Sequence, residues 1–403
     1  MKQSILDRWC DVRRIVGEKN SFYRKKWESF DPDCPLEHLP FTTKAELAAN
    51  QIAYPPYGTN LTLTPSSYTR LHQTSGSTTG KPLIWLDSIS GWDWVVDTWR
   101  STFAAIGITS RDRCFFPFSF GPYLGFWSAF EACVRESCFV LSGGGMSTTT
   151  RLRQIIEHGI TAIFATPTYV LHLVEQAKKE SVDLSKSGVR TVVVAGEPGG
   201  NISTTKAAIE NAWNARLIDH YGLTEVGPVA FEPRNSPGSL VILDDQIIAE
   251  IIDPQGSKPI SKGEIGELVV TNLGRPDTPL IRYRTGDLVR LGDESSPDAP
   301  LVLSGGIIGR VDDLIHVRGN NLYPTSIERV IRRFPDVAEF RIVVSKQNAM
   351  TNIEVEIEPA STIAESEIAK ALRDEIGFRI NVRTVPTGTL PRYELKAKRV
   401  VMK

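Results

Sequence analysis

The segments CFVLSGGG at residues 138–145, AIFATP at 162–167 and TVVVAGEP at 191–198 decide the fold of this chain. Each is a short apolar run that ends in small or turn-forming residues. Amphipathic stretches with helical spacing lie between them, RLRQIIEHG at 151–159 and YVLHLVEQAKKE at 169–180. This alternation predicts βα units around a largely parallel sheet. Because ligands of such sheets bind beyond the carboxyl ends of the strands, the strand exits mark the expected site.

The rest of the chain extends this core on both sides. Residues 1 to about 60 have helical patterning with Pro-containing connections, which predicts a helical lead-in. Closely spaced strands at 237–308 predict an antiparallel β subdomain. Two helices and three strands follow, the last of them RINVRTVP at 379–386, and predict a compact α+β unit. We therefore expect an α/β protein with an N-terminal domain at 1–308 and a small C-terminal domain at 309–403.

The composition argues against several classes of protein. Lys and Arg number 46 against 47 Asp and Glu, and the net charge of −1 offers no general grip on nucleic acid or anionic membrane. No apolar stretch reaches the length of a membrane span, and Asp7 and Arg8 interrupt any signal-peptide core. The five cysteines include no CxxC pair, and Cys133 and Cys138 lack a matching pair of zinc ligands. We expect a cytoplasmic protein.

The segment TSGSTTGKP at 74–82 is the clearest candidate for binding phosphate. It concentrates hydroxyl groups, bare backbone amides and one cation, a combination that suits a polyphosphate. The residues concerned are Thr74, Ser75, Gly76, Ser77, Thr78, Thr79, Gly80 and Lys81. The segment differs from a P-loop because Ser75 and Pro82 break that pattern, and the proline disfavours a helix start after the lysine. The alternative is a flexible linker of small polar residues.

This loop resembles the signature segment of the acyl-adenylate-forming superfamily, and four further segments resemble motifs of that family in the same order. They are DHYGLTE at 219–225, RYRTGD at 282–287, GRVDD at 309–313 and LPRYELKAKR at 390–399. The short length, GEPGG at 196–200 and VRGNNLYPTSIE at 317–328 are most similar to the phenylacetate-CoA ligase group. The resemblance implies an adenylation domain, a mobile C-terminal domain, and the use of ATP, Mg²⁺ and CoA.

The resemblance also implies roles for individual residues. Lys396 matches the catalytic lysine, a cation that stabilises the charge developing as a carboxylate attacks the α-phosphorus of ATP. Thr224 is expected to bind a phosphate, and Glu225 to hold the Mg²⁺ that bridges ATP phosphates. Asp312 matches the hinge between the domains, and Gly319 lies in the loop that reaches the site during thioester formation. The nucleotide is expected to contact Gly196, Glu197, Pro198, Asp219, His220, Tyr221, Gly222, Asp287 and Arg310.

Each of these nucleotide contacts has a chemical reason and a structural alternative. A strand exit at 196–198 without bulky side chains lets backbone approach a flat purine, and Tyr221 is expected to lie on the adenine ring. Asp287, in a turn, is expected to accept two ribose hydroxyls, with Arg310 beside it. The alternatives are a plain turn, a core tyrosine, an Asx turn and a surface ion pair. For Lys396 the alternative is a solvated basic tail.

An aromatic run at 115–123, FFPFSFGPY, is the candidate acyl-binding segment. Phe120 and Tyr123 are the preferred contacts, because relatives place an aromatic residue of this segment near the acyl group. Such side chains suit the ring of an aryl or arylacetic acid. Core packing is the alternative interpretation.

Three functional hypotheses follow. In the first, a small-molecule carboxylic acid reacts with ATP to give an acyl-adenylate, from which CoA displaces AMP. The second keeps adenylation but passes the acyl group to an amine, a cofactor or the phosphopantetheine arm of an acyl carrier protein. The third is a nucleotide-binding protein without catalysis. The identity of the acid and the oligomeric state, with a homodimer as one option, stay open at this stage.

Overall fold

The computed structural model of the chain describes residues 3–31, 33–74, 82–295, 299–317, 320–347, 350–361, 363–393 and 396–403. The helices within these ranges are α1 (Gln3–Lys19), α2 (Ser21–Lys26), α3 (Lys44–Ala53), α4 (Ile89–Ile106), α5 (Trp127–Arg135), α6 (Thr148–Glu157), α7 (Pro167–Lys179), α8 (Ser203–Trp213), α9 (Pro324–Ile331) and α10 (Glu365–Ile376). The first ten strands are β1 (Tyr68–Gln73), β2 (Ile84–Ser88), β3 (Arg113–Phe116), β4 (Phe139–Ser142), β5 (Ala162–Ala165), β6 (Thr191–Val194), β7 (Arg216–Leu223), β8 (Gly227–Phe231), β9 (Ser239–Ile242) and β10 (Ile247–Ile252). The others are β11 (Ile265–Asn272), β12 (Tyr283–Leu291), β13 (Val302–Arg310), β14 (Ile315–Val317), β15 (Asn320–Leu322), β16 (Val337–Gln347), β17 (Met350–Pro359), β18 (Asn381–Thr384) and β19 (Val400–Met402).

One large sheet dominates the part of the chain that the structure describes. Its 11 strands follow the order β10-β11-β12-β13-β9-β8-β7-β6-β5-β3-β4. Strands β3 to β7 pair in parallel, and every pairing from β7 through β8 to β10 is antiparallel. The predicted α/β class and the antiparallel strands at 237–308 are confirmed. Those strands continue the parallel sheet, because β7 bonds to β6 on one side and to β8 on the other.

The parallel part carries helices on both faces, as the βα pattern predicts. Phe116 and Phe164 point to the core under α4 and α5, whereas Phe115 and Ile163 point to the core under α6, α7 and α8. Strands covered on both faces are apolar at successive positions, which explains the unbroken runs in the sequence. The turn after β5 starts α7, because the Thr166 hydroxyl accepts a hydrogen bond from the Tyr169 amide at 3.2 Å.

The lead-in helices pack against the antiparallel part of the sheet. Trp9 and Val16 of α1 and Tyr23 of α2 are buried in the same core as strands β8 to β13. The Tyr23 hydroxyl accepts a hydrogen bond from the Ile281 amide at 2.9 Å, which fixes the chain just before β12.

The C-terminal residues form a separate four-stranded sheet, in the order β18-β17-β16-β19, with α9 and α10 packed on its core. The expectation that the strand at 379–386 is the last one is wrong. Strand β19 follows and pairs in parallel with β16. Strand β19 is only three residues long and follows a basic segment, so the sequence shows too short an apolar run to indicate a strand. Among the described residues, no helix combines the length and apolar character that a membrane crossing needs.

Candidate active site

A cavity of about 640 Å³ lies at the carboxyl ends of β6 and β7, between the large sheet and the C-terminal sheet. Its lining contains backbone and side chains from both parts of the chain, including Asn201 and Tyr323, which the sequence analysis did not single out. Ten predicted residues line it, namely Gly196, Glu197, Pro198, Asp219, His220, Tyr221, Gly222, Asp287, Arg310 and Lys396. Residues up to 200 positions apart are therefore combined at one site, and both sheets face the same cavity.

The exit of β6 holds the C-terminal segment in place. Gly196 has φ +94°, a left-handed conformation that glycine adopts without strain. The neighbouring Glu197 carboxylate accepts hydrogen bonds from the Thr168 amide at 2.9 Å and from the Ala397 amide at 2.7 Å. Glu197 therefore joins the strand exit to the residue that follows Lys396. Sequence reasoning assigned Glu197 only to the purine and missed this bridge.

Burial strongly shifts the pKa values of two neighbouring residues of β7, Asp219 and His220. Burial, followed by the charge of Glu232, raises the pKa of Asp219 to about 8, and the Asn201 amide donates to its carboxylate at 2.6 Å. Burial lowers the pKa of His220 to about 3. The His220 ring stacks on Trp99 with centroids 3.9 Å apart. At neutral pH the cavity wall therefore carries a protonated Asp219 and an uncharged imidazole.

The raised pKa of Asp219 predicts a pH dependence of stability. Between its ordinary pKa of 3.8 and about 8, the folded chain keeps a proton that the unfolded chain releases. Stability therefore falls as pH rises through this window, by at most about 1.4 kcal/mol per pH unit. Urea unfolding at pH 5, 6, 7 and 8 is expected to show a flatter profile for Asp219→Asn than for the parent. The exposed control Asp293→Asn should keep the parent profile, and equal slopes for the parent and Asp219→Asn would contradict the assignment.

Asp287 sits at the centre of the cavity wall. Its carboxylate accepts hydrogen bonds from the Tyr221 hydroxyl and from Arg310 Nη1, both at 2.6 Å. Burial raises the pKa of Asp287, and the charge of Arg310 opposes the rise. Asp287 and Arg310 are direct partners in the β12–β13 register, which explains their contact across 23 residues.

The expectation that Asp287 lies in a turn is wrong, because it lies within β12. Gly286 has φ +74°, and the β11–β12 register shifts beside it. A left-handed glycine inside a strand pair forms a bulge, which increases local twist while the strand continues. The same Thr-Gly-Asp sequence is compatible with a turn, so only the neighbouring strands decide between the two.

Thr224 and Glu225 form the turn between β7 and β8. Glu225 is buried, and its carboxylate accepts a hydrogen bond from the Tyr283 hydroxyl at 2.8 Å. The carbonyls of Thr224 and Glu225 accept from Arg275 Nη1 at 3.3 and 3.2 Å. Arg275 is in turn paired with Asp87 of β2 at 2.5 Å. This buried pair joins the turn to the strand that follows the predicted phosphate loop, and no sequence pattern indicated it.

The predicted phosphate loop connects two antiparallel strands, β1 and β2. Thr74 is buried at its start, where its amide donates to the Leu83 carbonyl at 3.0 Å and its hydroxyl accepts from the Leu83 amide at 2.9 Å. The prediction that no helix starts directly after this loop is confirmed, because β2 follows. Ser75, Gly76, Ser77, Thr78, Thr79, Gly80 and Lys81 lie outside the described residues, as does Gly319.

Buried ion pairs fix the segment around Lys396. Arg399 is 9% exposed and contacts Glu339 at 2.7 Å and the Thr168 hydroxyl at 3.1 Å. Arg392 contacts Glu358 of β17 at 2.6 Å and Glu175 of α7 at 3.3 Å. The alternative of a solvated basic tail therefore fails for Arg392 and Arg399. Lys396 itself is exposed to the cavity opening.

Comparison with known protein families shows the family to which the chain belongs. Residues 43–274 match the family described as AMP-binding enzyme, and residues 319–403 match the AMP-binding enzyme C-terminal domain. The chain belongs to the AMP-binding enzyme family.

Several relatives of this AMP-binding enzyme cover most of its length. The phenylacetate-coenzyme A ligase of Aromatoleum evansii is 30% identical over 96% of this chain and 91% of its own. The phenylacetate-coenzyme A ligase of Pseudomonas putida is 29% identical over 90% of this chain and 83% of its own. A crystal structure of 2-hydroxyisobutyryl-CoA ligase in the postadenylation state is 26% identical, with TM-score 0.91 over 99% of this chain and 89% of that one. The same ligase with CoA in the thioesterification state gives TM-score 0.74.

The remaining predicted residues that the structure describes are not part of the cavity lining. Phe120 packs on Trp127 with centroids 4.3 Å apart, and Tyr123 is 41% exposed. Asp312 is exposed in a short 3₁₀ turn, Val311–Asp313, between β13 and β14. Thr74, Thr224 and Glu225 also lie outside the described lining.

Proposed function

We propose that this protein activates a carboxylic acid with ATP to an acyl-adenylate and then transfers the acyl group to CoA. The observation that carries the proposal is the shared cavity, where Tyr221, Asp287 and Arg310 of the large sheet lie with Lys396 of the C-terminal segment. In the first half-reaction an oxygen of the acid bonds to the α-phosphorus of ATP, and the bond to pyrophosphate breaks. In the second, the CoA sulfur bonds to the acyl carbon, and AMP leaves.

Three cavity residues carry distinct parts of the first half-reaction. The Asp287 carboxylate accepts ribose hydroxyls, with Tyr221 and Arg310 holding it in place through bonds of 2.6 Å. The Lys396 ammonium stabilises the negative charge that grows on the reacting oxygens. Glu197 keeps the Lys396 segment at this position through the Ala397 amide.

The C-terminal part, residues 309–403, changes position between the two half-reactions in this proposal. The TM-score of 0.91 with the postadenylation state of 2-hydroxyisobutyryl-CoA ligase, against 0.74 with its thioesterification state, supports an adenylate-forming arrangement here. Asp312 is the proposed hinge, because backbone rotation in an exposed short turn disturbs little packing. Rotation would withdraw Lys396 and bring the loop with Gly319 to the site.

The residues present fit a magnesium ion carried with ATP. A hard carboxylate oxygen is the ligand that Mg²⁺ prefers, and Glu225 is the candidate. One of its oxygens accepts the Tyr283 hydroxyl, which fixes the carboxylate orientation. Bound Mg²⁺ would supply charge neutralisation for the phosphates.

An aryl or arylacetic acid is the proposed substrate class. The relatives named phenylacetate-coenzyme A ligase support an acid with an aromatic ring. Phe120 and Tyr123 stay the proposed contacts, in a region where Phe116, Phe118 and Phe120 already pack against one another. We also infer a cytoplasmic location, where reducing conditions keep the five cysteines free.

Pyrophosphate release tests the proposed function. With ATP and Mg²⁺, a panel of aliphatic, aryl and arylacetic acids is expected to give acid-dependent release that is strongest with the aromatic acids. AMP release is expected to require CoA, because the adenylate otherwise stays bound. Turnover that ignores CoA but responds to amines or a carrier protein would favour the alternative acceptors. ATP binding without any acid-dependent release would contradict catalysis.

A further inference from the structure

Three thiols meet at the end of α5, away from the cavity. Cys114 lies on β3, Cys133 on α5, and Cys138 just before β4, and their sulfur atoms all lie within 4.8 Å of one another. Cys114 and Cys133 are fully buried, whereas Cys138 is half-buried. None of the three lines the cavity among the described residues. The cluster therefore lies outside the cavity that holds Asp287 and Lys396.

The end of α5 explains why Cys133 and Cys138 touch. Ser137 has φ +60°, its amide donates to the Val134 carbonyl at 3.0 Å, and the Cys138 amide donates to the Cys133 carbonyl at 2.9 Å. This is the Schellman ending of a helix, in which the residue after the left-handed position returns against the last turn. In most Schellman endings the two side chains at these positions make an apolar contact, whereas here they are the thiols of Cys133 and Cys138. Sequence spacing alone, without CxxC, did not indicate it.

Cys114 joins this pair through strand order. Strands β3 and β4 are parallel neighbours, with Cys114 in register with Val140, two residues after Cys138. Cys114 therefore supplies a third thiol from a distant part of the sequence, a partner that the sequence analysis missed.

The three thiols differ in acidity. Hydrogen bonds from Cys114 and then Cys133 lower the pKa of Cys138, against the effects of burial and the Asp112 carboxylate. Burial, reinforced by the neighbouring thiols, raises the pKa of Cys133. Cys138 is the most accessible of the three, and its Sγ donates to the Thr109 carbonyl at 3.2 Å. Once that proton is released, the sulfur becomes a thiolate, which is the reactive form of cysteine.

We propose that Cys138 is an oxidation site for hydrogen peroxide and that Cys133 resolves the product as an intramolecular disulfide. The Cys138 sulfur bonds to one peroxide oxygen, the O–O bond breaks, and hydroxide leaves and takes up a proton. Sulfur loses two electrons and peroxide gains them. The Cys133 sulfur then bonds to the Cys138 sulfur, and the hydroxyl group leaves as water with the Cys133 proton. A dithiol reductant supplies two electrons and restores both thiols.

The geometry favours a disulfide over a bound metal ion. The backbone hydrogen bond between Cys133 and Cys138 keeps their backbones close, as a disulfide requires, so closure needs mainly side-chain rotation. A divalent ion held by three thiolates would leave a net negative charge where Cys114 and Cys133 are surrounded by apolar side chains. Within the described residues, no histidine or carboxylate completes the ligand set.

Thiol counting and peptide mapping test this site. After exposure to a small excess of hydrogen peroxide, the denatured protein is expected to show three free thiols, against five in the reduced chain. Trypsin cuts after Arg135, so nonreducing mass spectrometry should find peptide 114–135 linked to peptide 136–151. Dithiothreitol should separate the two peptides and restore the thiol count.

Variants identify the two sulfurs. Cys138→Ser is expected to lose no thiols at the same peroxide dose, and Cys133→Ala to leave a sulfenic acid on Cys138 that dimedone traps. Cys114→Ala should still form the link, and the exposed control Cys10→Ser should oxidise like the parent. Cys138→Ser should keep the parent rate of pyrophosphate release before oxidation, so this test stands apart from the proposed function.

Three results would overturn the proposal. One is a link that persists in Cys133→Ala, another is oxidation confined to Cys10, and the third is stoichiometric zinc or copper that Cys114→Ala removes. The last of these would make the cluster a metal site instead.

Discussion

Replacing Lys396 with alanine is expected to slow acid-dependent pyrophosphate release by about 10²- to 10³-fold. Lys396 lines the same cavity as Asp287, and the Ala397–Glu197 bond of 2.7 Å keeps its backbone there. Loss of a preorganised cation raises the barrier for the step in which charge grows on the phosphate oxygens. The measurement is the initial rate of pyrophosphate release with saturating ATP and acid.

Two controls make this result specific. Lys398→Ala removes an exposed lysine two positions away and should leave the rate within about twofold, since surface charges contribute little. Supplying Lys396→Ala with preformed acyl-adenylate and CoA should give thioester at nearly the parent rate, because the proposed rotation withdraws the lysine before that step. Equal loss in both half-reactions would show that Lys396 supports the structure and not the adenylation chemistry.

Replacing Asp287 with asparagine is expected to raise the KM for ATP by about 10- to 100-fold, with a smaller fall in kcat. The change keeps the shape of the side chain, and its single oxygen can still accept from Arg310 while the Tyr221 hydroxyl turns to accept from the new amide. It removes the charge that strengthens hydrogen bonds to ribose. Hydrogen bonds to a charged group contribute roughly 1.5–3 kcal/mol, which corresponds to this range. Steady-state kinetics with varied ATP at fixed acid measure both constants.

The matched control for Asp287 is Asp293→Asn, just beyond the end of the same strand, where the residue is exposed. It should leave the KM for ATP unchanged. Thermal unfolding of Asp287→Asn separates a binding defect from loss of fold. Burial raises the pKa of this aspartate because a buried charge is unfavourable, and the neutral amide does not carry that free-energy cost, so the variant is expected to stay folded. An unchanged KM for ATP in a folded Asp287→Asn protein would remove this residue from the nucleotide site.

The residues of the cavity show which predictions can be made from sequence. Gly196, Tyr221 and Lys396 were predicted because they stand in short motifs whose chemistry is local, and the structure brings all three to one cavity. Asp287 was predicted for the same reason, but its strand was misread as a turn because a left-handed glycine fits both. The bulge exists only because β11 and β13 flank the segment.

Other functional contacts have no local signature. Arg275 reaches the turn at Glu225 and pairs with Asp87, a partner 188 positions earlier in the chain. Glu197 bonds to Ala397 across 200 positions. Such pairs depend on which strands and helices become neighbours, and a single sequence gives no measure of that.

The sequence by itself determined the α/β class and the order of its helices and most of its strands, and it supplied the candidate residues for the nucleotide and acid chemistry. These properties follow from hydrophobic period and from side-chain chemistry, which act over a few residues. Only the tertiary structure decided that the parallel and antiparallel strands form one sheet, that Glu197 holds the segment of Lys396, and that Cys114 meets Cys133 and Cys138. Those contacts arise from the packing of distant segments, whose free energy depends on surfaces that exist only after the chain has folded.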